Sequence, residues 1–159
     1  SFKYICGILQ YEVLLMGVVG FNFTRIDVER KDIAKGNVNI RNNISIKNID
    51  KTDIGLGGEK QNVLRVSFEF TSTYDPQIGN ILLAGTLLYL EEQKKTKEIL
   101  DTWKKEKRVN KEIMTPILNT VLAKCNVQAL ILSQEVNLPA PMPLPKVQIN
   151  DKDESNYIG

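Results

Sequence analysis

The side chains that most often do chemistry near neutral pH are scarce in this sequence. There is no histidine among its 159 residues. That excludes Ser-His-Asp and Cys-His nucleophile pairs, and every metal site that uses imidazole. The commonest general acid–base group is missing with it. The two cysteines, Cys6 and Cys125, stand far apart and have no metal-ligand spacing. Two cysteines do not make a disulfide framework, and a reducing cytosol suits them. Cys125 falls on a helical apolar stripe, where it reads as a small buried hydrophobe. Carboxylates and lysines are plentiful, but no motif gives any of them a role. The chain therefore reads as a non-enzyme, with no catalytic, cofactor-binding or metal-binding residue assigned.

Two stretches carry a faint ligand signal. Gly55–Lys60, GLGGEK, has the glycines of a phosphate cradle. It lacks the GK followed by Ser or Thr and a helix that a P-loop needs. A surface loop from Asp50 to Asn62 is the expectation. The run Lys104-Lys105-Glu106-Lys107-Arg108 follows Trp103 and could face a nucleic acid. Interleaved Glu98, Asp101 and Glu106, and a total charge of only +2, favour a solvated helix face instead. Cations at a helix C-terminus are also favoured by the macrodipole. No nucleic-acid partner is expected, and Trp103 reads as a packing anchor.

With chemistry so limited, the elements themselves carry the reading. A length of 159 residues at 42% hydrophobic and 25% charged suits one globular domain with a sizeable core. Tyr4 to Phe21 is apolar apart from Gln10 and Glu12. Its length approaches a membrane span, but Glu12 near the middle costs about 2.5–3.5 kcal/mol on insertion scales. As a signal peptide it lacks a clear small-residue cleavage site. Residues 1–17 are read as an N-terminal segment lying upstream of the domain, with Met16 as a candidate start. Neither a membrane nor an export signal is invoked, and the expected location is cytoplasmic.

Four strands follow. Val18–Arg30 switches the parity of its apolar residues near Thr24, which predicts a bulge or twist there. Val38–Ile49 alternates cleanly, with Val38, Ile40, Ile44 and Ile46 on one side. Asn42 interrupts that side, and a bulge is expected at it. Val63–Tyr74 places Leu64, Val66, Phe68 and Phe70 inward. Tyr74-Asp75-Pro76-Gln77 reads as a turn into Ile78–Leu90, so these two strands form an antiparallel hairpin. Ile78–Leu90 hardly alternates, so both of its faces should be covered. One parity, with Leu82, Ala84 and Leu88, is expected under the main helix. The other, with Leu83, Leu87 and Tyr89, is expected to meet a neighbouring subunit, the Pro-rich segment or a client chain.

The rest is helical and then extended. A charged helix holds Ile99, Leu100 and Trp103 on one face, with Thr96 as its N-cap. The longest helical signal runs from Asn110 to about Val136, with Pro116 either opening it or kinking it. Ile113, Ile117, Leu118, Val121, Leu122, Cys125, Ala129 and Leu132 form its stripe. Past Asn126 the stripe widens with Val127, Leu130 and Ile131, a second sign of a partner surface. Residues 18–136 thus form a single α+β domain. Residues 137–159 form a Pro-rich extended segment, NLPAPMPLPK, and a polar tail.

That order of elements resembles the SecB export chaperone and the archaeal proteins of unknown function that share its fold. NVLRVSFEFTSTYD at 62–75 is similar to the family's third strand. ILLAGTLLYLEE at 81–92, with its Ala84-Gly85 pair, is similar to the fourth. IMTPILNTVLAKC at 113–125 resembles the start of the main helix, and VNLPAP at 136–141 the extended segment after it. The resemblance covers residues 18–145 and implies a four-stranded antiparallel sheet packed on C-terminal helices. It also implies dimers, or dimers of dimers, that bind unfolded polypeptide in apolar grooves and pass it to an export motor. This chain is slightly basic, whereas the bacterial chaperones are strongly acidic. DKDESNYIG also has no likeness to their motor-binding tail. The export role therefore has less support than the fold.

The expectation is an oligomeric binding protein of holdase type, acting on non-native polypeptide. A subunit specific for one protein partner is the alternative, and a nucleic-acid binder is the weaker third. The candidate polypeptide-binding or subunit-interface residues are Leu83, Leu87, Tyr89, Trp103, Met142 and Leu144.

Overall fold

The computed structural model describes residues 17–56 and 59–146. Four strands form one antiparallel sheet: β1 (Gly17–Arg30), β2 (Asn39–Leu56), β3 (Glu59–Asp75) and β4 (Gly79–Leu90). Their order across the sheet is β1-β4-β3-β2. Two helices follow, α1 (Gln93–Glu106) and α2 (Lys111–Glu135). The architecture is the expected α+β, a four-stranded antiparallel sheet packed on helices.

Alternation decides which face the helices cover. On β3, Leu64, Val66, Phe68, Phe70 and Tyr74 are buried, while Arg65 is exposed and Glu69 half-exposed. Register pairs Leu64 with Tyr89, Val66 with Leu87 and Phe70 with Leu83. These residues therefore share the helix side, and Leu83 and Leu87 are fully buried. The expected assignment of the two faces of β4 is thus reversed. Leu82, Ala84 and Leu88 lie on the outer face and are half-exposed. The sequence of β4 is apolar on both parities and could not choose. Its neighbour β3 chooses, because Arg65 and Glu69 cannot be buried without partners.

Gly85 sits where β4 is narrowest. It pairs with Phe23 of β1 on one side and Phe68 of β3 on the other. A Cβ here would lie 2.8 Å from Phe68 Cζ and would also strike the Asn22 carbonyl. Without it, the rings of Phe21 and Phe68 stack at 5.2 Å, and Phe23 meets Phe21 edge-on at 5.0 Å.

The expected bulge in β1 is present, as a register shift between Phe23 and Arg25. In β2 the shift lies between Ile46 and Asn48 instead of at Asn42. The loop expected over residues 50–62 is also corrected. β2 continues to Leu56 and β3 begins at Glu59, in register from Asp50↔Arg65 to Leu56↔Glu59. The apolar alternation fades there because this end of the hairpin reaches beyond β4, whose pairing with β3 stops at Leu64↔Tyr89. Glycines 57 and 58 of the faint phosphate motif, residues 1–16 with Met16 and Cys6, and residues 147–159 lie outside the described residues.

Helix α1 begins at Gln93, so Thr96 lies inside it and is not its N-cap. Thr96 is buried, and its hydroxyl donates to the Glu91 carbonyl at 3.3 Å. Helix α2 is capped by Asn110, whose side chain accepts from the Glu112 N–H at 3.1 Å. Pro116 is therefore inside the helix, one turn past its start. The stripe facing the sheet is Ile117, Val121, Cys125, Ala129 and Ser133. No helix of the described residues is long and apolar enough to cross a membrane.

Candidate polypeptide-binding face

The sheet's helix side is covered unevenly. Helix α2 packs over β4 and touches β3 and β1, whereas α1 packs over β2 and β3. Edge strand β2 puts Ile40, Ile44, Ile46 and Ile49 on this side, opposite Tyr74, Phe70, Phe68 and Val66. Only Ile49 is buried; Ile40, Ile44 and Ile46 are half-exposed although they touch the core. Among the described residues no strand lies beyond β2 in the sheet order. We call this half-covered apolar strip along the inner face of β2 the trough.

A strap made by the segment after α2 bounds one end of the trough. The Leu138 N–H donates to the Ser133 carbonyl at 2.8 Å, with Asn137 at φ 56°, and the chain leaves the helix. Leu138 is buried against Gly79, where an added Cβ would come within 3.1 Å of it. The chain then crosses the sheet. The Tyr74 hydroxyl donates to the Pro139 carbonyl at 2.8 Å, and the Asn42 amide donates to the Pro141 carbonyl at 2.7 Å. Alternating proline suits this path. It supplies carbonyl acceptors and leaves no N–H to satisfy at positions 139, 141, 143 and 145. Asn42, which broke the apolar pattern of β2, is thus a fastening for the strap.

The structure separates the six residues singled out from the sequence. Leu83 and Leu87 belong to the core under the helices, and Tyr89 is buried beside them. All three point toward the helices, because the polar side of β3 puts their parity inward. Trp103 is buried in the same core, with Lys107 at 5.3 Å from its ring. Its indole N–H has no hydrogen-bond partner among the described residues. Met142 and Leu144 lie on the strap at the β2 side, half-exposed and exposed respectively. Sequence reasoning missed Ile44 and Ile46. Their clean alternation read as ordinary core, and only the placement of the helices leaves them uncovered.

Two further apolar surfaces remain. On the outer face, Leu82, Ala84 and Leu88 of β4 run beside ion pairs between β2 and β3. These include Lys47–Glu69 at 3.2 Å, Arg41–Asp75 at 2.9 Å and a bidentate Arg65–Asp50 pair. On α2, Leu122, Val127 and Ile131 are 39%, 62% and 47% exposed, away from the buried stripe. A helix apolar on two sides has a second surface to cover.

The titratable groups offer little chemistry. Burial pushes the Cys125 thiol up to about 12, so almost no thiolate forms near neutral pH. Burial also raises the Tyr74 hydroxyl, and raises Tyr89 with a smaller push from Glu91. Among the described residues no group of three or more Cys, Asp or Glu side chains is gathered as a metal site needs.

No protein-family model and no curated protein matches the sequence. Among solved structures, the chain is similar to the SecB-like chaperone of Mycobacterium tuberculosis in complex with a peptide from an antitoxin. The likeness covers 87% of this chain and 95% of that one, at 11% identity and a TM-score of 0.48.

Proposed function

We propose that this chain is a holdase-type chaperone that binds extended apolar segments of non-native polypeptide. The observation that carries the reading is the half-covered inner face of edge strand β2, with Ile44 and Ile46 between the strap and α1. Covering the exposed part of one such half-buried side chain contributes about 1 kcal/mol. An extended segment can also pair with the free edge of β2, where backbone groups give affinity and alternate side chains give contact. Met142 and Leu144 supply flexible apolar contact at the strap end. Apolar contact without charge pairing tolerates many sequences, as a holdase requires.

The chain acts in the cytoplasm as a homo-oligomer, a dimer or tetramer. The second apolar side of α2, where Val127 and Ile131 stand one turn apart, supports self-association. An aggregation assay with a heat-labile client enzyme tests the function. The chain is expected to suppress light scattering at a few-fold molar excess, and Ile44→Asp/Ile46→Asp to lose that effect. No suppression by the unaltered chain at any excess rejects the reading.

A further inference from the structure

The charge is unevenly distributed, although the total is only +2. Between Gln93 and Lys111 eight basic residues stand against three acidic ones, so this segment is +5 and the rest of the chain is −3. Two of the eight, Lys97 and Lys104, lie on one flank of α1. A cleft of about 350 Å³ separates that flank from the β2–β3 hairpin. It is bordered by Lys51 of the hairpin and by Lys97, Lys104 and Asp101 of α1, with Thr96 and half-buried Leu100 also lining it. None of the three lysines, nor Asp101, forms an ion pair with another described residue. Ion pairs elsewhere on β2 and β3 use Lys47, Arg41 and Arg65. The cleft on the other flank of α1 differs in sign: Lys95 and Arg108 face Glu98, Glu106 and Glu112.

We infer that the α1–hairpin cleft docks an acidic segment of a partner polypeptide, at a site separate from the trough on β2. Three unpaired ammonium groups around a narrow cleft favour carboxylates. Lysine presents compact, rotatable donors that follow an extended chain of acids. Leu100 adds an apolar floor that suits one aliphatic side chain among the acids.

Binding of a labelled ten-residue Asp/Glu peptide with one central leucine, followed by fluorescence anisotropy on the full chain, tests this. The isosteric Asn/Gln peptide and a twelve-residue oligothymidine serve as comparisons. The acidic peptide is expected to bind, to weaken at least tenfold between 50 and 200 mM salt, and to bind at least tenfold more weakly to Lys97→Glu/Lys104→Glu. The amide peptide is expected not to bind. These two substitutions are on exposed positions and should leave the thermal transition and client holding unchanged. That separates failure of this site from failure of the β2 trough. No acidic-peptide binding, equal binding to the variant, or tighter binding of oligothymidine overturns the inference.

Discussion

Leu87 and Leu88 are adjacent and chemically identical, yet they lie in opposite environments. Leu87 is fully buried against the helices, and Leu88 is half-exposed on the outer face. Leu87→Lys should destabilise the chain by about 4 kcal/mol or more, because an unpaired ammonium would be buried. Leu88→Lys should cost about 1 kcal/mol or less. Urea unfolding of the two variants checks the assignment of faces. Equal costs would show that β4 is covered on both sides. Cys125 makes a second prediction at this scale. Its folded thiol holds its proton well above the ordinary value of 9.0, up to about 12. The stabilisation this represents is complete below pH 9 and is lost as pH rises toward the folded value. The stability of the chain relative to Cys125→Ala should therefore fall between pH 9 and 11. Ellman's reagent should also leave Cys125 untouched until the chain unfolds.

At the scale of elements, the strap is the part whose attachment is easiest to count. It is held by Leu138 in its socket and by hydrogen bonds from Tyr74 and Asn42. Each such bond contributes about 0.5–1.5 kcal/mol. Tyr74→Phe/Asn42→Ala should speed amide hydrogen exchange in the strap and leave α2 and the sheet as protected as before. Unchanged exchange at Leu138, Ala140 and Met142 would mean that other contacts hold it. Element order was legible from the sequence because strand alternation and the long helical stripe are strong local signals. Three features were not. The protruding end of the β2–β3 hairpin has polar residues on both parities, so it looked like loop. The choice of face for β4 depends on the polar residues of β3. The exposure of Ile44 and Ile46 depends on where helices more than forty residues later come to rest. Asn42 shows the same limit at one position. Its interruption of an apolar face was visible, but its partner, Pro141, is 99 residues away.

For the whole molecule, the proposed behaviour rests on two surfaces. The second apolar side of α2 predicts association, and Val127→Glu/Ile131→Glu should lower the solution mass without lowering the thermal midpoint by more than a few degrees. Light scattering checks this, and a monomeric unaltered chain would remove the argument for self-association. The trough on β2 is the proposed seat of client binding. Its most direct test is equilibrium binding of a permanently unfolded protein, fluorescently labelled, to the chain and to Ile44→Asp. Binding is expected for the unaltered chain and at least tenfold weaker for Ile44→Asp, measured without denaturant where the variant's own urea transition shows it folded. Equal binding by both, or no binding by either, would contradict the account.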